Sequence, residues 1–400
     1  MIQWFFFMFK NNRNLLIIAL IALVNALGYG IIIPILYSYS VRYGLTDFQN
    51  GMLFATFSLF QFFSTPLIGR MSDKFGRRPL LLVSISGTVV SFLMMAFAPS
   101  AIFLFIARAL DGITAGNIPV ATAVISDTTK PEHRARGFAI IGASFGFGFV
   151  FGPAISALTV GISPSLPFLI AAGISLIAVV STAIFLPETN KHIGEVRNSK
   201  LFDWQKLLQA LFDKNVGPTL LITLFYFLGF FAFIYAFQPY LIKVLRLSAT
   251  NVSILYTMFG VLGLISQLLL VEPLSKRFGI KRTFSSAILT VALGFLVMFT
   301  FRSFTMFVVS MVIISIPNSM IGPLINTILS RETDERSQGT ILGLNSSYMS
   351  IGQIFGPILG GAIATYSTML PFLASAAIIL SCFFLSFRIM NPTVPKETAF

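Results

Sequence analysis

Two ionisable side chains, Arg108 and Asp111, stand three residues apart in the otherwise apolar run FIARALDGITAG. On a helix that spacing puts them on one face. A carboxylate beside a guanidinium in apolar surroundings can do proton chemistry, because its proton affinity depends on the contact with the arginine. A static ion pair that neutralises a needed arginine would use the same two residues. A second cluster is GRMSDKFGRRP at 69–79, which gathers Arg70, Asp73, Lys74, Arg77 and Arg78. Gly76 permits a tight turn with positive φ, and Pro79 suits the first turn of a following helix. Asp73 could be accepted at a helix N-terminus of the other half of the chain. Arg77 could pair with Asp127.

Other chemistries find little support. His133 and His192 lie near charged residues without a metal-ligand partner at suitable spacing, and both read as solvated loop histidines. Cys382 is the only cysteine, so neither an intramolecular disulfide nor a multi-thiolate site is available. The chain has no HExxH, no P-loop and no histidine inside an apolar run, so no metal, cofactor or intramembrane enzyme is expected. A net charge of +13 could point to nucleic acid, but the basic residues sit in short connections between apolar runs, as topology requires in a membrane protein.

Hydrophobic residues make up 56% of the chain and charged ones 10%, with a mean hydropathy of +0.87. Long apolar runs recur, each able to form the roughly 20 helical residues that cross a bilayer core. The runs are continuous rather than alternating, which argues for helices over a barrel. The expected spans are 14–39, 48–69, 79–98, 101–127, 137–160, 164–186, 216–243, 250–272, 282–301, 304–329, 339–366 and 369–390. The fold class is an all-α membrane protein with about twelve transmembrane helices. The first residues, MIQWFFFMFKNNRN, read as an interfacial anchor with Trp4 at headgroup level rather than a cleaved signal.

Lys and Arg concentrate in the even-numbered connections, at both termini and in the central segment; the odd connections hold only Arg42, Lys243, Arg246 and Arg302. Both termini and the central segment should therefore be cytoplasmic. The chain also repeats itself: GRMSDKFGRRP at 69–79 returns as EPLSKRFGIKR at 272–282, and GFVFGPAIS at 148–156 returns as GQIFGPILG at 352–360. The expected organisation is a six-helix bundle over 1–186, a cytoplasmic linker over 187–215 and a second six-helix bundle over 216–400. The linker stretch LFDWQKLLQALFD reads as an amphipathic helix on the membrane surface, or one that merely bridges the halves. Repeats of this kind let transporters alternate access around a midplane site.

Gly69, Asp73, Gly76, Arg77 and Arg78 follow the loop signature of the major facilitator superfamily, and the chain resembles its twelve-helix drug:H+ antiporters over its whole length. The resemblance implies the major facilitator fold of two pseudo-symmetric bundles. It also implies that Arg77 and Asp127 pair as a latch closing the cytoplasmic side in the outward-facing state. The second copy, with Glu272 and Lys276 at the Gly69 and Asp73 positions, is degenerate. Arg108 and Gly112 match the family's span-four motif, with Asp111 where glutamine is more usual. The first-span motif often carries a carboxylate where this chain has Asn25. If protons drive transport, the carrier in this half has then moved to Asp111.

Gly148, Gly152 and Pro153 match the antiporter signature in span five, and Gly352, Gly356 and Pro357 its fuller form in span eleven. Their small residues allow close helix approach. The resemblance places Asn25, Tyr29, Asn117, Phe145, Tyr226, Tyr235, Gln238 and Asn318 around a central cavity, with Gln61, Asn326, Asn345 and Gln353 as further candidates. That cavity is aromatic and sparsely charged, which suits a lipophilic solute or one with a cationic group. The expected function is a proton-coupled antiporter exporting such molecules as a monomer. A carrier for a neutral metabolite, such as a sugar or amino acid derivative, is the alternative.

Overall fold

The computed structural model describes residues 13–191, 193–194, 203–334 and 337–390, with only the backbone of residues 13, 131–133, 135 and 136. The anchor with Trp4, His192 and the His133 side chain lie outside the described residues. Among the described residues every regular element is helical. In chain order the helices are α1 (Arg13–Ile32), α2 (Leu36–Ser40), α3 (Asp47–Phe75), α4 (Arg77–Ala96), α5 (Ala101–Thr114), α6 (Ile118–Thr128), α7 (Pro131–Thr159) and α8 (Leu166–Phe185). Then follow α9 (Trp204–Leu211), α10 (Gly217–Pro239), α11 (Ala249–Leu269), α12 (Val271–Phe278), α13 (Ile280–Thr300), α14 (Phe304–Glu332), α15 (Gln338–Ala364) and α16 (Leu370–Met390).

Eleven of the described helical stretches are long and apolar enough to cross a membrane. The twelfth expected span, α15, has 27 residues but is diluted by Asn345, Ser346, Ser347 and Gln353. Prolines explain where spans depart from expectation. Span one is not one helix over 14–39, because Pro34 lacks an N–H and the chain steps from α1 to α2 there. Span four breaks into α5 and α6 through a 3₁₀ step at Ala115–Asn117, with Pro119 in the first turn of α6. Span two runs on to Phe75, so most of the charged stretch is helical. The linker helix is α9, where the Asp203 side chain accepts the Lys206 N–H at 3.1 Å.

The chain forms two compact units. One comprises Met1–Gly44, Thr56–Phe202 and Ala249–Thr257; the other comprises Leu45–Ala55, Asp203–Ser248 and Met258–Phe400. In the first unit α1 packs on α7 and α8, and in the second α10 packs on α15 and α16. The repeat in the sequence is thus a repeat in packing. Glycines make both central pairs close. A Cβ on Gly152 would lie 2.7 Å from the Gly30 backbone, and one on Gly356 would lie 2.7 Å from the Leu228 carbonyl oxygen and from the Phe231 Cβ. Ser156 donates to the Ile31 carbonyl across the first pair at 2.7 Å.

The same substitution at two glycines of α7 should give opposite results. Gly152→Ala forces backbone against backbone and should cost about 1–3 kcal/mol. Gly142→Ala meets nothing within 4 Å and should be neutral or gain about 0.5–1 kcal/mol from helix propensity. Thermal unfolding midpoints of the detergent-purified variants check the contrast.

Candidate functional site

In the first unit, α5 holds Arg108 and Asp111 on one face, with Arg108 Nη1 3.0 Å from Asp111 Oδ2 and the two side chains 1% and 8% exposed. They are the charged side chains in the buried class among the described residues. Gly112 lets α5 press against α3 at Phe57 and Phe60. That close approach brings the Phe57 ring under the guanidinium, 4.6 Å from its centre, a cation–π geometry. Tyr29 packs on Phe57 at 5.7 Å and on Phe149 at 5.9 Å, and Phe149 meets Phe145 at 6.3 Å. Asn25 donates to Asn117 at 2.8 Å, where span four breaks. Arg108 Nε and Asn117 Nδ2 are sealed from solvent without a partner. The structure therefore brings Asn25 and Asn117 together, and Tyr29, Arg108, Asp111 and Phe145 into one aromatic-walled cluster.

Among its described residues the second unit is polar without a buried ion pair of that kind. The Tyr226 hydroxyl donates to Asn318 at 2.7 Å, Thr223 to Asn345 at 2.7 Å and Asn345 to Asn326 at 3.1 Å. Tyr235 and Gln238 lie further along α10. Tyr235 is nine residues from Tyr226, about 13 Å along the axis. Its hydroxyl bonds the Asp47 carbonyl at 2.6 Å, and the Asp47 carboxylate holds Lys243 Nζ at 2.8 Å. The structure does not group these two residues with Tyr226 and Asn318.

The charged stretch is a dense node. Gly76 takes φ 100° and precedes α4, and Gly69 faces Pro119 of α6. Arg77 Nη1 lies 2.6 Å from Asp73 Oδ1 and 2.6 Å from the Ser72 hydroxyl, while its Nε lies 3.3 Å from Asp127 Oδ2. Arg78 donates to the Ala183 carbonyl at 2.6 Å. Glu188, beyond α8, is not among the expected site residues, yet its carboxylate accepts the N–H groups of Arg77 at 2.9 Å and Arg78 at 3.1 Å. It also accepts those of Thr189 at 2.9 Å and Asn190 at 2.8 Å. In the second copy, Lys281 Nζ pairs with Glu332 at 2.9 Å.

The family profile of the Major Facilitator Superfamily matches residues 18–269 and 219–400. The chain belongs to the Major Facilitator Superfamily. It is 31% identical over 390 residues to the class C tetracycline resistance protein of Escherichia coli, covering 93% of this chain and 96% of that one. It is 28% identical over 367 residues to multidrug resistance protein 1 of Bacillus subtilis (strain 168), covering 91% and 92%. In fold it is similar to a bacterial homologue of the human lysosomal transporter Spinster, with a TM-score of 0.78 at 15% identity over 94% of this chain and 97% of that one. It is thus a multi-pass membrane transporter of this superfamily.

Within this major facilitator chain, two kinds of residue escaped the sequence. Phe57 and Phe149 were two among 44 phenylalanines, with nothing local to mark them. Glu188 had a signal. A helix that starts at Arg77 after a glycine has no side-chain cap of its own, so its first N–H groups are open to an acid from elsewhere in the chain. Burial alone would raise the Glu188 pKa, but the four N–H donors outweigh it and hold the carboxyl below the ordinary 4.5.

The sign of the resulting pH dependence is fixed. A depressed carboxyl contributes stability that is complete above its ordinary value and is lost as pH falls through the lower folded value. The thermal midpoint of wild type minus that of Glu188→Gln should be positive and flat above pH 4.5 and shrink below it. A difference that grew on acidification would contradict the cap.

Proposed function

We propose that this chain exports lipophilic or cationic small molecules in exchange for protons, with Asp111 as the proton carrier of the first unit. The observation that carries the reading is the Arg108–Asp111 pair, buried at 3.0 Å and walled by Phe57 and Tyr29. An intramembrane ionisable pair is expensive to keep and marks a transport or proton path. The span-one position that could titrate elsewhere holds Asn25, which is spent on Asn117. The names of the relatives, resistance proteins for tetracycline and for multiple drugs, speak for drug efflux over carriage of a neutral metabolite.

In this reading protonation of Asp111 releases Arg108, and the freed guanidinium or the neutral carboxyl changes what the aromatic wall can hold. Tyr29, Asn25, Asn117 and Phe145 line the substrate path in the first unit, and Tyr226 and Asn318 in the second. The node of Asp73, Arg77 and Asp127 is the latch on the cytoplasmic side, where both termini also lie. One chain suffices for the pathway, so the working unit is a monomer.

The test uses purified protein in liposomes with the acid side inside and a panel of fluorescent lipophilic cations, a tetracycline and a quinolone. Wild type should accumulate at least one of them against its gradient. Asp111→Asn should abolish the gradient-driven component and keep downhill exchange. Gradient-driven accumulation unchanged in Asp111→Asn would remove this residue from coupling, and no movement of any compound by wild type would overturn the drug-efflux reading.

A further inference from the structure

One side of α4 carries hydroxyls. Ser84, Thr88 and Ser91 stand at i, i+4 and i+7 of a largely apolar run, with Gly87 among them, so they share a helical face. All three are at most 3% exposed. Ser91 turns back onto its own helix and donates to the Thr88 carbonyl at 2.8 Å. The other two reach across to α5, and both reach the same residue. Ser84 donates to the Thr114 carbonyl, and the Thr88 and Thr114 hydroxyl oxygens lie 3.2 Å apart. Thr114 has one proton to give, and its oxygen lies 3.0 and 3.1 Å from the Leu110 and Asp111 carbonyls. In the contact with Thr88 it therefore accepts. Gly87 permits the approach, since a Cβ there would lie 3.2 Å from the Thr114 Cβ.

Thr114 is the last residue of α5, three after Asp111, and the 3₁₀ step follows at once. Span two holds the same step from α3. Pro119 has no N–H to offer the Ala115 carbonyl, and Gln61 Nε2 donates to that oxygen at 3.4 Å. Ser64 donates to the Gly112 carbonyl at 3.2 Å. The carbonyls of Gly112, Thr114 and Ala115 are thus each taken by a side chain of a neighbouring span. A buried hydroxyl that merely needs a partner finds one a turn back on its own helix. Ser144 does so on Ile140 at 2.9 Å, and Ser175 on Ala171 at 2.8 Å. Ser84 instead gives its proton to the carbonyl where α5 ends.

Taking Asp111 as the proton carrier proposed above, on which this role depends, we infer that Ser84 and Thr88 are positioning residues for its proton step. They pin Thr114, Thr114 ties the Asp111 carbonyl, and the turn that carries the carboxylate stays in register with Arg108. The segment rotates at the 3₁₀ step only when the two hydroxyls of α4 let go. Opening of the ion pair and release from span three are then one event, which is what coupling requires. Without the hydroxyls the turn moves by itself. The pair then opens without the accompanying helix movement, and solute crosses without its proton.

Two measurements on the full chain test this. Hydrogen–deuterium exchange of the detergent-purified protein follows the amides of residues 112–118, whose opening the clamp opposes. Liposome assays, scored on the compound that wild type moves fastest, give the ratio of gradient-driven to downhill flux. Ser84→Ala and Thr88→Val should each speed exchange over 112–118 by about tenfold and lower the flux ratio by about tenfold, the effect of one buried hydrogen bond. Thr88→Ser keeps the hydroxyl and should restore both. Exchange equal to wild type in Ser84→Ala and Thr88→Val would overturn the clamp. Faster exchange with an unchanged flux ratio would make the hydroxyls structural only and overturn the positioning role. Gradient-driven flux that survives in Asp111→Asn but falls in Ser84→Ala would overturn Asp111 as the carrier, while the clamp on α5 stood.

Discussion

Hydrocarbon offers polar groups no water, and the internal hydrogen bonding of this chain answers that lack. Serines inside the units turn their hydroxyls onto carbonyls of neighbouring helices: Ser156 onto Ile31, Ser315 onto Phe259, Ser266 onto Ile316 and Ser375 onto Gly229. Asparagines pair with one another or with a hydroxyl, as Asn25 does with Asn117 and Asn318 with Tyr226. Such bonds fix which helix faces meet, a job that apolar contacts cannot do where lipid is as apolar as leucine. At the α1–α7 crossing, glycines bring the backbones near enough for the Ser156 hydroxyl to reach. Against this background Arg108 and Asp111 are the exception that needs a reason. Two leucines would pack there without desolvating a charge.

The two copies of the charged turn show how a duplicated device drifts while its backbone stays. Gly76 and Gly279 keep the same positive φ, because no other residue adopts it without strain. The side chains around them have changed. In the first copy Arg77 spans Asp73 and Asp127. In the second Ile280 has no charge to span anything, and Lys281, one residue on, reaches Glu332 instead. Lys281 also donates to the Ile389 carbonyl at 2.7 Å, as Arg78 donates to the Ala183 carbonyl in the first copy. The second turn therefore keeps an ion pair to the end of span ten, which its degenerate sequence concealed.

Features that constrain the backbone were legible in the sequence. A glycine between two helices in a run of charges dictates a turn, and an arginine three residues from an aspartate dictates a shared face. Both arguments survive any rotation of the helix in the membrane. Features that depend on depth or rotation were not legible. Tyr226 and Tyr235 are both aromatic and both on α10, yet nine residues along the axis separate an asparagine partner from the Asp47 carbonyl. Phe57 became part of the site only because Gly112 lets two helices close on each other. The break after α1 was readable from Pro34, and a single span was expected there only because the apolar run continues past it.

The break in span four has a different consequence. Asp111 sits four residues before the 3₁₀ step at Ala115–Asn117, where Gly116 leaves helical geometry at ψ 17°. Helical hydrogen bonding is weakened there, and Thr114 bonds the Leu110 and Asp111 carbonyls with its own hydroxyl at 3.0 and 3.1 Å. A buried ion pair in a rigid helix would change its proton only at the full cost of an uncompensated charge. A pair at the edge of a joint can exchange partners by a small rotation of the segment that carries it. Asn117, on the other lip of the joint, has an amide nitrogen without a partner and a carbonyl tied to span one through Asn25. Movement at the joint therefore cannot leave span one unaffected, and span one packs on α7 along the glycine stripe. The geometry that makes Asp111 costly to hold also connects it to a helix pair whose glycines leave little room to absorb a shift.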